Sequence, residues 1–156
     1  MPNTFSKIFI QFIFAVQHRS ALILPDFEEE LYKYIGGIIR NQGQKLLAIN
    51  GTKDHVHLFL GIEASCRMSN LMRDVKGESS EFINKKGFLR NKFNWQEGYG
   101  AFSYGSSQKQ DVINYVMNQK QHHRKVRFRD EYISFLKKFE VEYDEKYIFN
   151  FFEDIN

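Results

Sequence analysis

The chain has 156 residues, which suits one domain with a hydrophobic core of its own. Hydrophobic residues make up 42% of it and aromatic residues 16%, a composition that excludes a disordered chain and favours a packed domain with β-strands. A single cysteine, Cys66, excludes an internal disulfide and is typical of the reducing cytoplasm, where we expect this protein. The apolar stretch at 8–16 is too short to span a bilayer.

The net charge of +3 is unevenly distributed along the chain. Residues 1–129 carry 19 Lys and Arg against 11 Asp and Glu, a balance of +8, whereas residues 130–156 carry 3 against 8, a balance of −5. A basic surface attracts polyanions, so nucleic acid is the leading class of partner. On charge alone, however, ordinary solvated charge is the favoured interpretation.

Hydrophobic periodicity predicts alternating strands and helices over the first two thirds of the chain. Asn50-Gly51 is a strong hairpin signal and joins two of the strands, the second of which begins at His55. The predicted elements, in chain order, are a strand at 6–17, a helix at 26–41, a strand at 44–50, the strand from His55, a helix from Ser65 or Ser69 to Lys86, and a strand at 99–104.

This order predicts an α+β fold of the ferredoxin-like type, also called split βαβ or RRM-like, with two helices on one face of an antiparallel sheet. A further helix, capped by Ser107 and running to about Lys125, carries Tyr115. We expect one domain over 1–156. Its parts are a βαββαβ core at 1–105, a tyrosine-bearing helix and basic segment at 106–129, and a C-terminal helix and acidic tail at 130–156.

His55 and His57 form the first candidate site. Side chains alternate along a strand, so the two imidazoles point to the same side and can bind one metal ion. An isolated His-x-His is a weak signal, because strand histidines are often merely exposed polar residues. His122 and His123 could add nitrogens, so a structural zinc site stays open as an alternative.

Tyr115 and Gln119 form the second candidate site. They are four residues apart and therefore share one face of the predicted helix, although helical spacing alone favours a core role for the tyrosine. Residues 112–129 contain no acidic side chain and five cations. A tyrosine at the head of a basic stretch is placed where a phosphate group would bind.

Four segments together resemble a known family. They are His55-Val56-His57, Lys76-Gly77-Glu78-Ser79-Ser80, the block from Trp95 to Ser103, and Tyr115-Val116-Met117-Asn118-Gln119 followed by His122-His123. In this order they resemble the HUH single-tyrosine transposases of the insertion sequence 200/605 group, including the repeat-associated tyrosine transposases. The resemblance covers nearly the whole chain.

The resemblance implies a metal-dependent DNA endonuclease and strand transferase. His55, His57 and Gln119 would ligate Mg²⁺ or Mn²⁺, and Tyr115 would attack single-stranded DNA at hairpin-containing ends to form a 5′-phosphotyrosine link. It also implies a homodimer in which the tyrosine helix of one subunit serves the histidine pair of the other, with a hinge at 105–107.

The expected DNA contacts come from basic side chains and exposed aromatics. Trp95 could stack on a base, although a core position is the better interpretation of a lone tryptophan. The candidate DNA-binding residues are Arg73, Lys76, Lys85, Lys86, Lys120, Arg124, Lys125 and Arg127.

Two further functions fit the same pattern. A domesticated or non-catalytic protein of this fold would bind repeat hairpins without cutting them. An HUH nuclease of the replication or relaxase type is the other, but such chains usually carry a third histidine ligand and extra domains, and we expect neither here.

Overall fold

Residues 3–152 are described by the computed structural model, and their centre is one antiparallel sheet of four strands. The strands lie in the order β2-β3-β1-β4, and neighbouring strands run antiparallel. Their bounds are β1 Ile8–Ala15, β2 Lys45–Gly51, β3 His55–Ile62 and β4 Gly100–Tyr104.

Five α-helices and two short 3-10 turns accompany the sheet among residues 3–152. The first six elements follow the predicted order of strand, helix, strand, strand, helix, strand, and the α+β class is confirmed. The helices are α1 Pro25–Asn41, α2 Met68–Lys86, α3 Lys109–Met117, α4 Gln119–His122 and α5 Phe128–Lys138, and the 3-10 turns are Ser106–Gln108 and Glu145–Tyr147.

One face of the sheet forms the main hydrophobic core with α1 and α2. Side chains alternate along each strand, so Phe12 of β1 and Leu58 of β3 point to the same face. They are fully buried with Leu31 and Ile35 of α1 and Val75 of α2. Two helices therefore cover this face, as the sequence predicts.

The opposite face carries the C-terminal helices. Ile13 of β1 packs in a cluster with Phe128 and Phe135 of α5, and Phe59 of β3 packs in another with Val116 of α3. His55 and His57 of β3 point to this same face, because they lie four and two residues before Phe59 and side chains alternate along a strand. The sheet is thus covered on both sides, and the candidate site lies between β3 and the C-terminal helices.

The β2-β3 hairpin fixes the start of the histidine strand. The backbone N–H of Thr52 donates to the carbonyl of His55 at 3.0 Å, and the strands pair from Gly51 opposite Val56. A side chain at Gly51 would collide with the His55 carbonyl oxygen, so glycine is required here by close backbone approach. The hairpin predicted from Asn50-Gly51 is confirmed.

The tyrosine helix differs from the sequence prediction. We predicted one helix from a Ser107 cap to about Lys125, but Ser107 lies in a 3-10 turn, α3 ends at Met117 and α4 begins at Gln119. Asn118 has the non-helical dihedrals φ −98° and ψ 15°, and asparagine competes for local backbone hydrogen bonds. Gln119, the first residue of α4, is fully buried.

The C-terminal helix and tail follow the prediction more closely. Helix α5 begins two residues earlier than the predicted Asp130, and Phe149 packs back onto it. Residues 153–156 of the predicted acidic tail lie outside the described residues.

Candidate active site

His55 and His57 project from β3 toward the C-terminal helices, and both side chains are fully buried. The ring of His55 stacks on Phe128 at 3.8 Å between centroids, while the ring of His57 lies 6.0 Å from that of Tyr115. Their nitrogens nevertheless contact polar groups. The two imidazoles therefore share one polar cluster inside the protein.

Three histidines in this cluster are held by a hydrogen bond at Nδ1. His55 Nδ1 lies 2.8 Å from the Asp54 carboxylate, and His57 Nδ1 lies 2.6 Å from the Gln11 side-chain oxygen. His123 Nδ1 lies 2.7 Å from the backbone carbonyl of Val126. Each acceptor favours a proton on Nδ1, and the opposite nitrogen of each ring, Nε2, faces the centre of the cluster.

Glu131 of α5 occupies that centre. Its Oε1 lies 3.0 Å from His123 Nε2, 3.2 Å from His57 Nε2 and 3.7 Å from His55 Nε2. The sequence did not lead us to Glu131, and we considered His123 only as a ligand of a possible structural zinc site. A signal was present: Glu131 lies on the apolar face of α5 with Phe128 and Phe135, where a lone carboxylate is out of place.

The second candidate pair joins the same cluster. The Tyr115 hydroxyl donates a hydrogen bond to Glu131 Oε2 and lies 3.4 Å from His122 Nε2. The Gln119 amide nitrogen donates to Glu131 Oε2 at 3.1 Å, and its oxygen lies 3.3 Å from His55 Nε2. One chain thus brings all four predicted residues together, although α3 and α4 are separate helices.

The electrostatics of the cluster depend on Glu131. Burial acts to raise the pKa of this carboxyl, but the charge of His57 and the hydrogen bonds from His123 and His57 outweigh it and hold the pKa far below its usual range. Burial, and then the negative charge of Glu131, raise the pKa of the Tyr115 phenol above its usual value. The phenol is therefore protonated at neutral pH in this arrangement.

These residues fit a metal ion. One donor atom each from His55, His57, His123 and Glu131 lie within 4.8 Å of one another. An ion bonded at about 2.0–2.1 Å to two donor atoms holds those atoms about 2.9–3.4 Å apart. The distances from Glu131 Oε1 to Nε2 of His123 and of His57, 3.0 and 3.2 Å, fall in this range. The distance to His55 Nε2, 3.7 Å, is slightly longer. The cluster could therefore hold a divalent ion.

A cleft of about 460 Å³ opens beside Tyr115. Tyr115, His122 and Glu131 lie on its wall together with Gln11 and Tyr104. Gln11 links the cleft to the histidines, because its side chain meets His57 and also donates to the Tyr104 hydroxyl at 2.9 Å. A ligand in this cleft would reach the phenol and the carboxylate from solvent.

The candidate DNA-binding residues differ in their surroundings. The Lys76 ammonium donates to the carbonyls of Gln96 and Gly98, each at 2.7 Å, which ties α2 to the segment before β4. Lys120 pairs with Glu28 at 2.6 Å and lies, with Arg124, on the wall of a second cleft of about 340 Å³. Three of the other candidates form ion pairs: Arg73 with Asp74, Lys85 with Glu81, and Arg127 with Asp130. The remaining candidates are exposed: Lys86, Arg124 and Lys125.

Trp95 lies in the main core. Its indole N–H donates to the Ser79 hydroxyl at 2.9 Å, its ring meets Phe14 edge to face, and only 8% of its surface is exposed. The core position that we preferred for it is confirmed, and this ring is not free to stack on a base.

Solved structures of other proteins share this fold. A proposed transposase of Deinococcus radiodurans R1 is 19% identical, with a TM-score of 0.62, over 76% of this chain and 95% of its own. A REP-associated tyrosine transposase, solved with a REP hairpin, is 16% identical, with a TM-score of 0.60, over 81% of this chain and 74% of its own. At these identities the two structures support the fold alone.

A search of curated proteins gave no match. Among the helices of residues 3–152, none has the length and apolar character needed to cross a membrane. The sequence model described as "Transposase IS200 like" matches residues 4–119, about three quarters of the chain. This chain belongs to the IS200-like transposase family.

Proposed function

We propose that this protein nicks and rejoins single-stranded DNA at hairpin-containing ends, with Tyr115 as the nucleophile and a divalent metal ion, Mg²⁺ or Mn²⁺, as cofactor. The observation that carries the proposal is the Tyr115 hydroxyl, held against Glu131 on the wall of an open cleft and joined through that carboxylate to a cluster of three histidines. The DNA phosphate would enter the cleft from solvent.

The cleavage step exchanges one ester for another. The Tyr115 oxygen would form a bond to phosphorus as the bond to the 3′-oxygen breaks, which leaves a 5′-phosphotyrosine and a free 3′-hydroxyl. The phenol loses one proton and the leaving oxygen gains one. Because the link keeps the energy of the cut bond, a second 3′-hydroxyl can reverse the step and join the strands without ATP.

His55 and His57 would hold the metal ion, and the resemblance adds Gln119 as a third ligand. When bound, the ion supplies positive charge that offsets the charge developing on the phosphoryl group. The chain itself orients the phenol: Glu131 accepts the hydrogen bond of Tyr115, and Gln119 donates to the same carboxylate oxygen. These contacts fix where the nucleophile points before DNA arrives.

DNA binding would use the basic body of the chain. The relative solved with a REP hairpin supports hairpin DNA as the ligand class. Lys53, Lys120 and Arg124 lie on the wall of the second cleft, which adjoins His123 and so borders the histidine cluster. We propose that these side chains, with Lys125 and Arg127 beyond them, contact the phosphate backbone next to the cut site.

The homodimer implied by the resemblance stays a prediction. Sharing of sites would require the Tyr115 helix to move to a second subunit through the segment 105–107. In the single chain Tyr115 already contacts the Glu131 that faces its own histidines. We therefore propose that cleavage can use the tyrosine and the histidines of the same chain, whether or not two chains associate.

The test is formation of a covalent adduct. The protein is incubated with single-stranded DNA carrying a hairpin next to a cleavable flank, with Mn²⁺ or with chelator, and the products are run on a denaturing gel. We expect a metal-dependent adduct whose proteolysis gives a mass-shifted peptide containing Tyr115. A modified peptide from another part of the chain, or hairpin binding without an adduct for any substrate, would contradict the proposal.

A further inference from the structure

We propose that His123 and Glu131 are metal ligands together with His55 and His57, and that this donor set selects a transition-metal ion over Mg²⁺. Gln119 then acts on the site through Glu131 rather than as the third ligand. This inference rests on the proposed function only in taking the cluster as the metal site of the enzyme. It differs in ligands and in ion from what the resemblance implies.

The first argument is the orientation of the imidazoles. The Nδ1 atoms of His55, His57 and His123 are each engaged by an outer acceptor, which is the arrangement by which proteins orient metal-ligating histidines. The three Nε2 atoms converge on Glu131 Oε1. A buried histidine needs a partner for its N–H in any role, but the convergence of three Nε2 atoms on one point is what a shared metal ion requires.

The second argument is the position of Gln119. Its amide nitrogen donates to Glu131 Oε2 at 3.1 Å, the same oxygen that accepts the Tyr115 hydroxyl. Glu131 therefore divides its carboxylate between the two halves of the site, with Oε1 toward the histidines and Oε2 toward Tyr115 and Gln119. The Gln119 oxygen lies 3.3 Å from the Nε2 atom of one histidine, His55, whereas Glu131 Oε1 faces all three. Gln119 is therefore placed to orient the carboxylate.

The third argument is the kind of donor. Three imidazoles and one carboxylate suit zinc, manganese, iron or cobalt, whereas Mg²⁺ prefers oxygen ligands and retains several waters. The histidines are at most 7% exposed, so the site offers Mg²⁺ little room for those waters. We therefore expect Zn²⁺ and Mn²⁺ to bind more tightly than Mg²⁺.

This ligand set could not come from the family match. That match ends at Gln119, before His123 and Glu131. Both residues come from the C-terminal segment, where His123 directly follows α4 and Glu131 lies in the first turn of α5.

The test measures metal binding without DNA. The full chain is stripped of metal with a chelator and titrated calorimetrically with Zn²⁺, Mn²⁺ and Mg²⁺. His123→Gln is compared with His122→Gln, a matched change at the neighbouring histidine, whose Nε2 lies 3.4 Å from Oε2 of Glu131. Glu131→Gln and Gln119→Ala complete the set.

We expect His123→Gln and Glu131→Gln to weaken Mn²⁺ and Zn²⁺ binding by at least about tenfold, and His122→Gln by much less. Gln119→Ala should weaken binding less than Glu131→Gln does. The proposal is overturned if Gln119→Ala abolishes binding while His123→Gln leaves it unchanged, or if Mg²⁺ binds as tightly as Mn²⁺.

A second measurement needs no variant and so does not depend on folding of a mutant. Electron–nuclear double resonance of the wild-type protein loaded with Mn²⁺ counts the imidazole nitrogens on the ion. Three are expected, and two would overturn the donor set. Tight metal binding by this donor set without any DNA adduct would support this inference and contradict the proposed function. A DNA adduct that forms in His123→Gln with unchanged metal affinity would support the proposed function and contradict this inference.

Discussion

The hydroxyl of Tyr115 is hydrogen-bonded to Glu131, a carboxylate that faces three histidines with its other oxygen. The candidate nucleophile and the candidate metal site are therefore one connected unit within a single chain. The bond also explains why the phenol stays protonated here, since burial and the negative charge of Glu131 both raise its pKa. Activation of Tyr115 requires positive charge that offsets this carboxylate.

Tyr115→Phe should abolish the covalent DNA adduct and leave hairpin affinity nearly unchanged. The substitution removes the nucleophilic oxygen but keeps a ring that packs against His57, His122 and Phe135. Tyr147→Phe, at an exposed site, is the matched control and should form the adduct normally. Adducts are measured on denaturing gels and affinity by gel shift; an adduct that persists in Tyr115→Phe would identify a different nucleophile.

Mixing two inactive variants should not restore cleavage. Tyr115→Phe lacks the nucleophile and His57→Asn lacks a metal ligand, so a mixed dimer regains one complete site only if the tyrosine of one chain serves the histidines of the other. Because Tyr115 contacts Glu131 of its own chain, we expect no adduct above the background of each variant alone. Recovery of adduct on mixing would show that subunits exchange their tyrosine helices.

Acid should destabilise the metal-free protein as the pH falls below about 6.5. Burial lowers the pKa of the His57 imidazole, although the charge of Glu131 opposes it. The unfolded chain therefore binds a proton at His57 in a range where the folded chain does not, so stability rises with pH there and falls on acidification.

Urea unfolding at several pH values, on the wild type and on His57→Gln, measures this effect. We expect a larger loss of unfolding free energy between about pH 7 and pH 5.5 in the wild type than in the variant. Equal losses would mean that groups other than His57 set the acid stability.

Local patterns in the sequence predict most of the sheet and the two helices behind it, because periodicity and turn chemistry act over a few residues. The Asn50-Gly51 hairpin and the shared face of His55 and His57 are examples. Tyr115 and Gln119 join the same cluster in the structure, but only the resemblance indicated this, since helical spacing alone favours a core role for the tyrosine.

The rest of the site depends on contacts between distant segments. Glu131 lies 76 positions after His55 in the sequence, and only the packing of α5 on the sheet brings it among the histidines. We expected no third histidine ligand, but the structure places His123 beside His55 and His57, where it could serve as one. Residue types reveal candidate ligands, whereas the packing of the C-terminal helices on the sheet decides which of them meet.

Trp95→Phe should lower the free energy of unfolding by about 1–3 kcal/mol, because it leaves the buried Ser79 hydroxyl without the indole donor. DNA hairpin affinity of the folded variant should match the wild type, since the ring lies in the core rather than on the surface. Chemical denaturation and gel shift give the two quantities. Weaker DNA binding at unchanged stability would place Trp95 in the DNA contact instead.

Gln96→Ala should loosen the C-terminal segment. The Gln96 amide donates to the carbonyls of Val16 and Asn150 at 3.0 and 2.8 Å and accepts from the Asn150 N–H at 2.8 Å, so one buried side chain ties residue 150 to the end of β1. Its loss leaves the carbonyl of the buried Val16 without this donor, at a cost of about 1–3 kcal/mol.

Limited proteolysis measures how firmly the C-terminal segment is held. We expect the Gln96→Ala variant to be cut within residues 140–152 at lower protease concentration than the wild type, whereas Gln121→Ala, at an exposed position, should behave as the wild type. The consequence reaches the metal site, because Phe149 packs on Phe128 and Phe128 stacks on His55. If the segment keeps its protection in Gln96→Ala, the aromatic contacts alone hold it in place.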